Sequence, residues 1–255
     1  NNSNNKRIAK NTMLLYFRMI FIMVISLFTS RINLQSLDVE NFGIYNVVGG
    51  VVAMFSVFSG SLSVSISRFI TYELGKGNQE NLKKVFSTAV SIQIFLAVCI
   101  TILAEIIGIW FLNNKMNIPA DRLNAANWVM HFSILAFAVN LISVPYNAAI
   151  IAHEKMGAFA YVSVFEVVAK LGITYYLFIS PFDKLKTYAV LLFALSIALR
   201  LIYGVYCKRN FQECSYHFIL DRDLIKQMTG FAGWSLFGHS TFPSSGMSLP
   251  VIIFI

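Results

Sequence analysis

Val85-Phe-Ser-Thr-Ala-Val-Ser-Ile-Gln-Ile-Phe-Leu-Ala-Val-Cys-Ile-Thr-Ile-Leu-Ala-Glu-Ile-Ile-Gly-Ile-Trp-Phe-Leu112 carries a single charge, Glu105. A helix needs about 20 predominantly apolar residues to cross a hydrocarbon layer, so this stretch reads as a membrane span. Comparable runs occupy 11–30, 43–67, 125–150, 159–180 and 187–207, and a seventh starts near Gly230. Polar connectors separate them at 31–41, 74–84, 113–124, 153–157, 181–186 and 208–227. Trp110 and Trp128 flank one connector, where interfacial aromatics belong. The pattern predicts an all-α integral membrane protein with six spans and a partial seventh.

Composition agrees along the whole chain of 255 residues. Charged residues make up 13% and hydrophobic residues 57%. A soluble domain carries about 25% charged residues. A water-soluble globule, a disordered chain and a collagen-like repeat are excluded. No segment is polar and long enough to be a separate soluble catalytic domain. The net charge of +8 fits basic cytoplasmic loops better than nucleic-acid binding. With the N-terminus inside, twelve Lys and Arg fall on the cytoplasmic side and five outside. That asymmetry favours a cytoplasmic N-terminus. Cys99, Cys207 and Cys214 form no CxxC pair, so neither a metal site nor a disulfide framework is expected. The first run is too long, and lacks the small-residue site, for a cleaved signal peptide. The chain starts at Asn1 and ends inside an apolar run at Ile255, and it reads as a fragment.

Motifs of soluble catalysis are missing. Gly49-Gly50 has no following Lys-Ser/Thr to cradle a phosphate, and no HExxH or GxSxG occurs. The chain reads as a non-enzyme without a cofactor.

Polar residues within the spans follow helical periodicity. Ser163, Glu166, Lys170 and Thr174 share a face of the fifth span. Ser87, Ser91, Thr101 and Glu105 share one on the third. Asn140, Ser143 and Asn147, with Pro145 among them, line the fourth. Ser196, Arg200, Tyr203 and Cys207 line the sixth, and Asn11, Arg18 and Thr29 the first. Stripes on so many spans predict a common polar cavity, because a charge at mid-membrane costs at least about 2.5 kcal/mol and normally faces an interior. The candidate substrate-path residues are Arg18, Arg68, Glu105, Asn140, Asn147, Glu166, Lys170 and Arg200. Glu166 precedes Lys170 by four residues, the favourable order for an intrahelical pair. Lys170 therefore serves a functional cavity or a neutralised packing pair. Arg18, Arg68 and Arg200 line the path or snorkel to an interface. Ser61-Leu-Ser-Val-Ser-Ile-Ser67 alternates like a strand, but a lone strand in lipid leaves its backbone unpaired. It is expected to be helical, its serines back-bonding for close packing or lining a wet cavity.

Several segments together resemble bacterial polysaccharide exporters, the O-antigen-type flippases of the multidrug/oligosaccharidyl-lipid/polysaccharide superfamily. These are Asn5-Lys-Arg-Ile-Ala-Lys-Asn-Thr12, Ser67-Arg-Phe-Ile-Thr-Tyr-Glu-Leu-Gly-Lys-Gly-Asn78, Leu82-Lys-Lys-Val-Phe-Ser87, Val144-Pro-Tyr-Asn-Ala-Ala-Ile-Ile-Ala-His-Glu-Lys-Met156 and Phe231-Ala-Gly-Trp-Ser-Leu-Phe-Gly238. The resemblance implies two six-helix lobes around a lumen. It implies transport of a lipid-linked oligosaccharide of the polyprenyl diphosphate type across the bacterial cytoplasmic membrane by alternating access, with H⁺ or Na⁺ coupling. This chain would be the N-terminal lobe (1–207), a cytoplasmic inter-lobe linker (208–228) and the start of a truncated second lobe (229–255). After Gly238 the sequence departs from the family pattern, with Pro243 and Pro250 in place of an apolar continuation. The alternatives are a multidrug or cation antiporter of the same superfamily, and an integral-membrane glycan polymerase or glycosyltransferase. An antiporter calls for a deep acid in the first span, which offers Arg18 instead. An enzyme calls for a long acid- or His-bearing loop, and the longest connector, 208–227, reads as a solvated linker.

Overall fold

Gly-Lys-Gly-Asn78 shows how short polar sequences set the helix ends. Gly77 takes a left-handed conformation (φ 70°) that closes the preceding helix, as glycine does at low cost. The Asn78 side chain then accepts the Asn81 N–H at 3.1 Å and opens the next helix. Asp183 does the same further on, accepting from Leu185 and Lys186.

The computed structural model describes residues 2–116, 118–119, 121–216 and 221–241, and their side chains apart from 2–11, 57–59 and 235–241. The elements are α1 (Asn2–Met54), α2 (Ser56–Lys76), α3 (Gln79–Asn114), α4 (Leu123–Ala152), α5 (Met156–Ile179), α6 (Lys184–Asn210), a 3-10 turn (Gln212–Cys214) and α7 (Arg222–Thr241). There is no strand among the described residues, and Ser61–Ser67 is helical as expected. The helical segments Thr12–Met54, Gln79–Asn114, Leu123–Ala152, Met156–Ile179 and Lys184–Asn210 are long and apolar enough to cross a membrane. The chain is a multi-pass membrane protein.

Two expected boundaries are revised. The 31–41 stretch is not a connector loop: α1 runs through it and breaks only at Asp38, whose φ of 66° and ψ of 161° are non-helical. The 43–67 run is not one helix either. It divides at Phe55 between the second arm of α1 and α2.

Packing orders the helices. At one end of the bundle Ile66 and Ile70 of α2, Phe86 of α3, Ala149 of α4, Tyr203 of α6 and Met228 of α7 share one apolar cluster. At the other end Leu112 of α3, Ala126 of α4 and Leu185 of α6 pack with Ile44 and Val48. Leu37 meets Leu177 of α5 and Tyr188 of α6 there as well. Arg122 and Asp183 add a polar tie at 3.3 Å. The α2–α3 and α4–α5 turns and the α6–α7 connector therefore lie together at one end, here called proximal. The α3–α4 and α5–α6 connectors and Asp38 lie at the other, distal end. This alternation is the one that the charge count requires. Ile102, Ile106 and Trp110 of α3 stay exposed, as an outer face against lipid tails allows.

The 208–227 connector, expected to be solvated, is partly buried. Glu213 and Cys214 are buried, and Glu213 takes a hydrogen-bonded partner in His153, at the start of the α4–α5 turn. His153 stacks on Phe211 at 4.0 Å. The hydrogen bond that the Cys214 thiol gives to Cys207, and then burial, push the Cys214 thiol pKa up, so it stays a neutral packing group. α7 begins at Arg222, ahead of the expected Gly230. The departure after Gly238 lies, from residue 242 on, outside the described residues.

Two predictions follow from this arrangement. Asp38 holds a backbone conformation that costs a non-glycine residue about 1–3 kcal/mol. Asp38→Gly should therefore raise the thermal unfolding midpoint of the detergent-purified protein, and Asp38→Val should lower it. For sidedness, Cys placed at Asn78 should resist an impermeant thiol reagent in intact cells, and Cys at Asn114 should react. The reverse pattern would put the proximal end outside.

Candidate functional site

Hydroxyl and amide side chains need partners inside an apolar bundle, and these helices turn many of them toward one space. A cavity of about 500 Å³ lies between α1, α4, α5 and α6. Ser26, Thr29, Ser30 and Asn33 come to it from the first arm of α1, and Tyr45, Asn46 and Ser56 from beyond the Asp38 break. Ser133 and Asn140 contribute from α4, Glu166 and Lys170 from α5, and Tyr188 and Ser196 from α6. Phe42, Phe132 and Phe137 supply aromatic wall.

Glu166 and Lys170 are the charged residues on this wall. The Lys170 ammonium donates to a Glu166 carboxylate oxygen at 2.8 Å, and both side chains are partly exposed to the cavity. The two readings of Lys170 thus coincide: it lines a cavity and is neutralised within it. Several hydroxyls are satisfied by their own helix. Thr29 donates to Ile25 O at 2.8 Å and Ser196 to Leu192 O at 3.0 Å. Their oxygens keep acceptor capacity toward the cavity.

Asn33 ties three helices together. Its amide donates to the Tyr188 hydroxyl at 2.8 Å, and its carbonyl oxygen accepts from Thr174 at 2.8 Å. The Tyr45 ring meets Tyr188 edge-on at 5.0 Å. Sequence reasoning passed over Asn33 because it lay in the presumed connector. The signal was present: Ser26, Thr29/Ser30 and Asn33 repeat at three and four residues, the face of one helix.

The structure brings together Asn140, Glu166 and Lys170 of the predicted path residues. The α1 and α6 stripes also reach it, through Thr29 and Ser196, while Arg18, Arg68, Glu105, Asn147 and Arg200 lie off its lining. The Glu105 carboxylate accepts from His131 Nδ1 at 2.8 Å on the α3–α4 face, beside exposed Trp128. The α3 stripe does not reach the cavity, and its Ser91 meets Tyr216 at 3.2 Å instead. The Asn147 side-chain oxygen is buried, without a hydrogen-bond partner, outside the cavity lining. The Asn11 side chain lies outside the described residues.

The three arginines share one arrangement. Arg18 sits over the Phe159 ring at 4.3 Å, Arg200 over Tyr146 at 3.8 Å and Arg68 over Phe231 at 4.4 Å. An aromatic face attracts a guanidinium without using its N–H groups. None of the three has a carboxylate within ion-pair distance among the described residues. The Arg18 Nε–H is buried and unpartnered. Arg18 and Arg200 flank the proximal side of the site, where Phe159, Tyr146 and Tyr203 pack. Arg68 faces a separate hollow on α2.

Among known structures, the chain is similar to a multidrug resistance MATE family transporter of the MOP superfamily in an outward-facing conformation. The TM-score is 0.69 at 17% identity, covering 91% of this chain and 53% of that one. It is also similar to a MOP superfamily transporter from Pyrococcus furiosus, whose binding pocket is described as having reverse polarity that suggests a different function. There the TM-score is 0.65 at 15% identity, over 91% of this chain and 53% of that one. The chain spans about half the length of these transporters and shares their fold. No family model and no curated protein matches it.

Asn33 provides a stability test of the site. Asn33→Ala removes two buried hydrogen bonds, although Thr174 keeps its bond to Lys170 O at 3.0 Å, and should cost about 2 kcal/mol at roughly 1 each. Asn46→Ala, at an exposed position, should cost little. Thermal unfolding in one detergent compares them, and equal midpoints would refute the role assigned to Asn33.

Proposed function

We propose that the chain is the cavity-bearing lobe of an alternating-access membrane transporter, and that its cargo is a lipid-linked oligosaccharide of the polyprenyl diphosphate type. The observation that carries this reading is the chemistry of the cavity wall. It is rich in hydroxyls, amides and aromatic rings, and its two charges cancel each other at 2.8 Å. Sugars present hydroxyl groups and apolar C–H faces, and such a wall offers partners for both. The anionic diphosphate calls for cations without internal partners, and Arg18 and Arg200 meet that need where Lys170 does not. A guanidinium binds phosphate oxygens bidentately.

A cationic drug calls for an unpaired carboxylate in the cavity. Glu166 is held by Lys170, which weighs against the antiporter alternative. The similar fold of MOP transporters supports a transport role rather than an enzymatic one. Export would run from the cytoplasmic leaflet of a bacterial inner membrane, with the proximal end inside. An H⁺ or Na⁺ gradient would drive it, through the rocking of one lobe against another.

The test is deletion of the gene in its host, with variants returned. Deletion should build up lipid-linked oligosaccharide and deplete surface polysaccharide. Arg18→Gln with Arg200→Gln should lower export roughly tenfold or more while membrane abundance holds. Glu166→Gln should impair it less. Unchanged surface glycan together with new sensitivity to cationic dyes would overturn the glycan reading in favour of drug efflux.

A further inference from the structure

The hollow beside α2 is separate from the cavity and carries its own chemistry. It is shallow, about 550 Å³, and lies broadly open at the surface. Its wall is Ser63, Val64, Ser67, Arg68, Thr71 and Tyr72 of α2, closed by Ile151 at the end of α4. Arg68 is exposed and has no carboxylate partner among the described residues. The Phe231 ring of α7 fixes its guanidinium at 4.4 Å and leaves the N–H edge free. One helical turn past Tyr72, Lys76 lies over the Tyr72 ring at 4.2 Å. Its nearest carboxylate is Glu73 at a loose 3.7 Å. Tyr72 first, and then Glu73, hold the Lys76 pKa above its ordinary value, so the ammonium stays charged. Thr71 spends its proton on Ser67 O at 2.8 Å, while the Ser63 and Ser67 hydroxyls border the space.

The position of this hollow matters as much as its charge. α2 ends at Lys76, so Arg68 lies about 12 Å inside the helix end at 1.5 Å per residue. That depth suits a long side chain reaching toward a headgroup layer. Val64 and Tyr72 are exposed beside it and give an acyl chain an apolar strip to lie on. Basic pockets between membrane helices at one membrane face bind anionic lipid headgroups.

We propose that this hollow holds the phosphate headgroup of an anionic phospholipid in the leaflet at the proximal end, with Arg68 as the bidentate contact and Lys76 as the second cation. Arg68 is then a lipid anchor rather than part of the cargo path. A bound headgroup would bridge α2 to α7 through the guanidinium that Phe231 holds, and would brace the first helix after the linker against the lobe. The inference does not depend on the cargo assigned above.

The test is native mass spectrometry of the detergent-purified chain, titrated with phosphatidylglycerol and, separately, phosphatidylcholine. The wild type should retain phosphatidylglycerol about 25-fold better, since each of the two basic residues contributes about fivefold near an anionic head. Arg68→Gln should abolish most of this preference. Arg68→Lys should keep part of it, with the charge retained and the fork lost. Lys76→Gln, which alters an exposed helix end, probes the same site without touching the Phe231 contact and should also weaken it. Lys186→Gln, at the distal end, should change nothing. Equal retention of both lipids by the wild type would overturn the proposal, as would an unchanged preference in Arg68→Gln. Displacement of the lipid by millimolar inorganic phosphate would show a free-phosphate site and overturn the phospholipid assignment. An equal loss in Lys186→Gln would reduce the effect to overall charge and do the same.

Discussion

A polar side chain surrounded by apolar helices and lipid has few places to go, and this constraint shapes the lobe. Each hydroxyl, amide or charge must bond its own helix, meet a neighbour or open onto water. All three outcomes occur. Ser143 and Ser163 donate back to Val139 O and Phe159 O. Asn33, Thr174 and Tyr188 satisfy one another across three helices. Ser26, Ser30, Ser133 and Asn140 open onto the cavity. The cavity is where the third solution has accumulated, and the helices around it stand apart because their facing residues are too polar to pack dry.

The charged residues divide by the same rule. Glu166 and Lys170 sit four apart on one helix and cancel inside the cavity at 2.8 Å. Glu105 and His131 pair across two helices on an outer face. His153 and Glu213 pair at the proximal end and bury the connector. What remains unpaired is cationic: Arg18, Arg68 and Arg200, each parked on an aromatic ring. An Arg tolerates this because its charge is spread and weakly hydrated, and because a ring face offsets part of the desolvation. A carboxylate has no equivalent refuge, and Glu105 and Glu166, the acids of the third and fifth spans, each have a partner. Among the described residues these three guanidiniums have no carboxylate within ion-pair distance.

Much of the fold was legible because its signals are local. Apolar length located α3, α4, α5 and α6, and Gly77-Asn78 marked a turn through backbone chemistry that one sequence carries in full. The Glu166–Lys170 pair was legible for the same reason, since both groups lie on one helix. The break at Asp38 was not, because an Asp in a left-handed conformation is set by packing around it, by Leu37 and Tyr188 among others, and leaves no mark in composition. The stripes on α3 and α5 looked equivalent, yet only one faces the cavity. Periodicity gives the angle of a face on its own helix and says nothing of which neighbour stands opposite. Asn33 was lost to a boundary error of a few residues, and with it a side chain that bonds both α5 and α6.

The cavity and the arginines must also be read as one electrostatic design. A wall that cancels its own charge binds a polar, uncharged body with little bias toward either sign. Cations placed off that wall, on rings at the proximal side, attract an anionic group while leaving the cavity neutral. An amphiphile with an anionic joint between a sugar head and a lipid tail divides in the same way, into a neutral hydroxylated part, a phosphate part and an apolar part. Under the cargo proposed above, the hydroxyl and amide wall, Arg18 with Arg200, and the exposed apolar faces of α1 and α5 would each meet one of these parts. The spacing of the first two surfaces along the bundle would then fix which end of such a molecule enters first. For that proposed cargo, the ordering would follow from the positions of the unpaired guanidiniums and not from the size of the cavity.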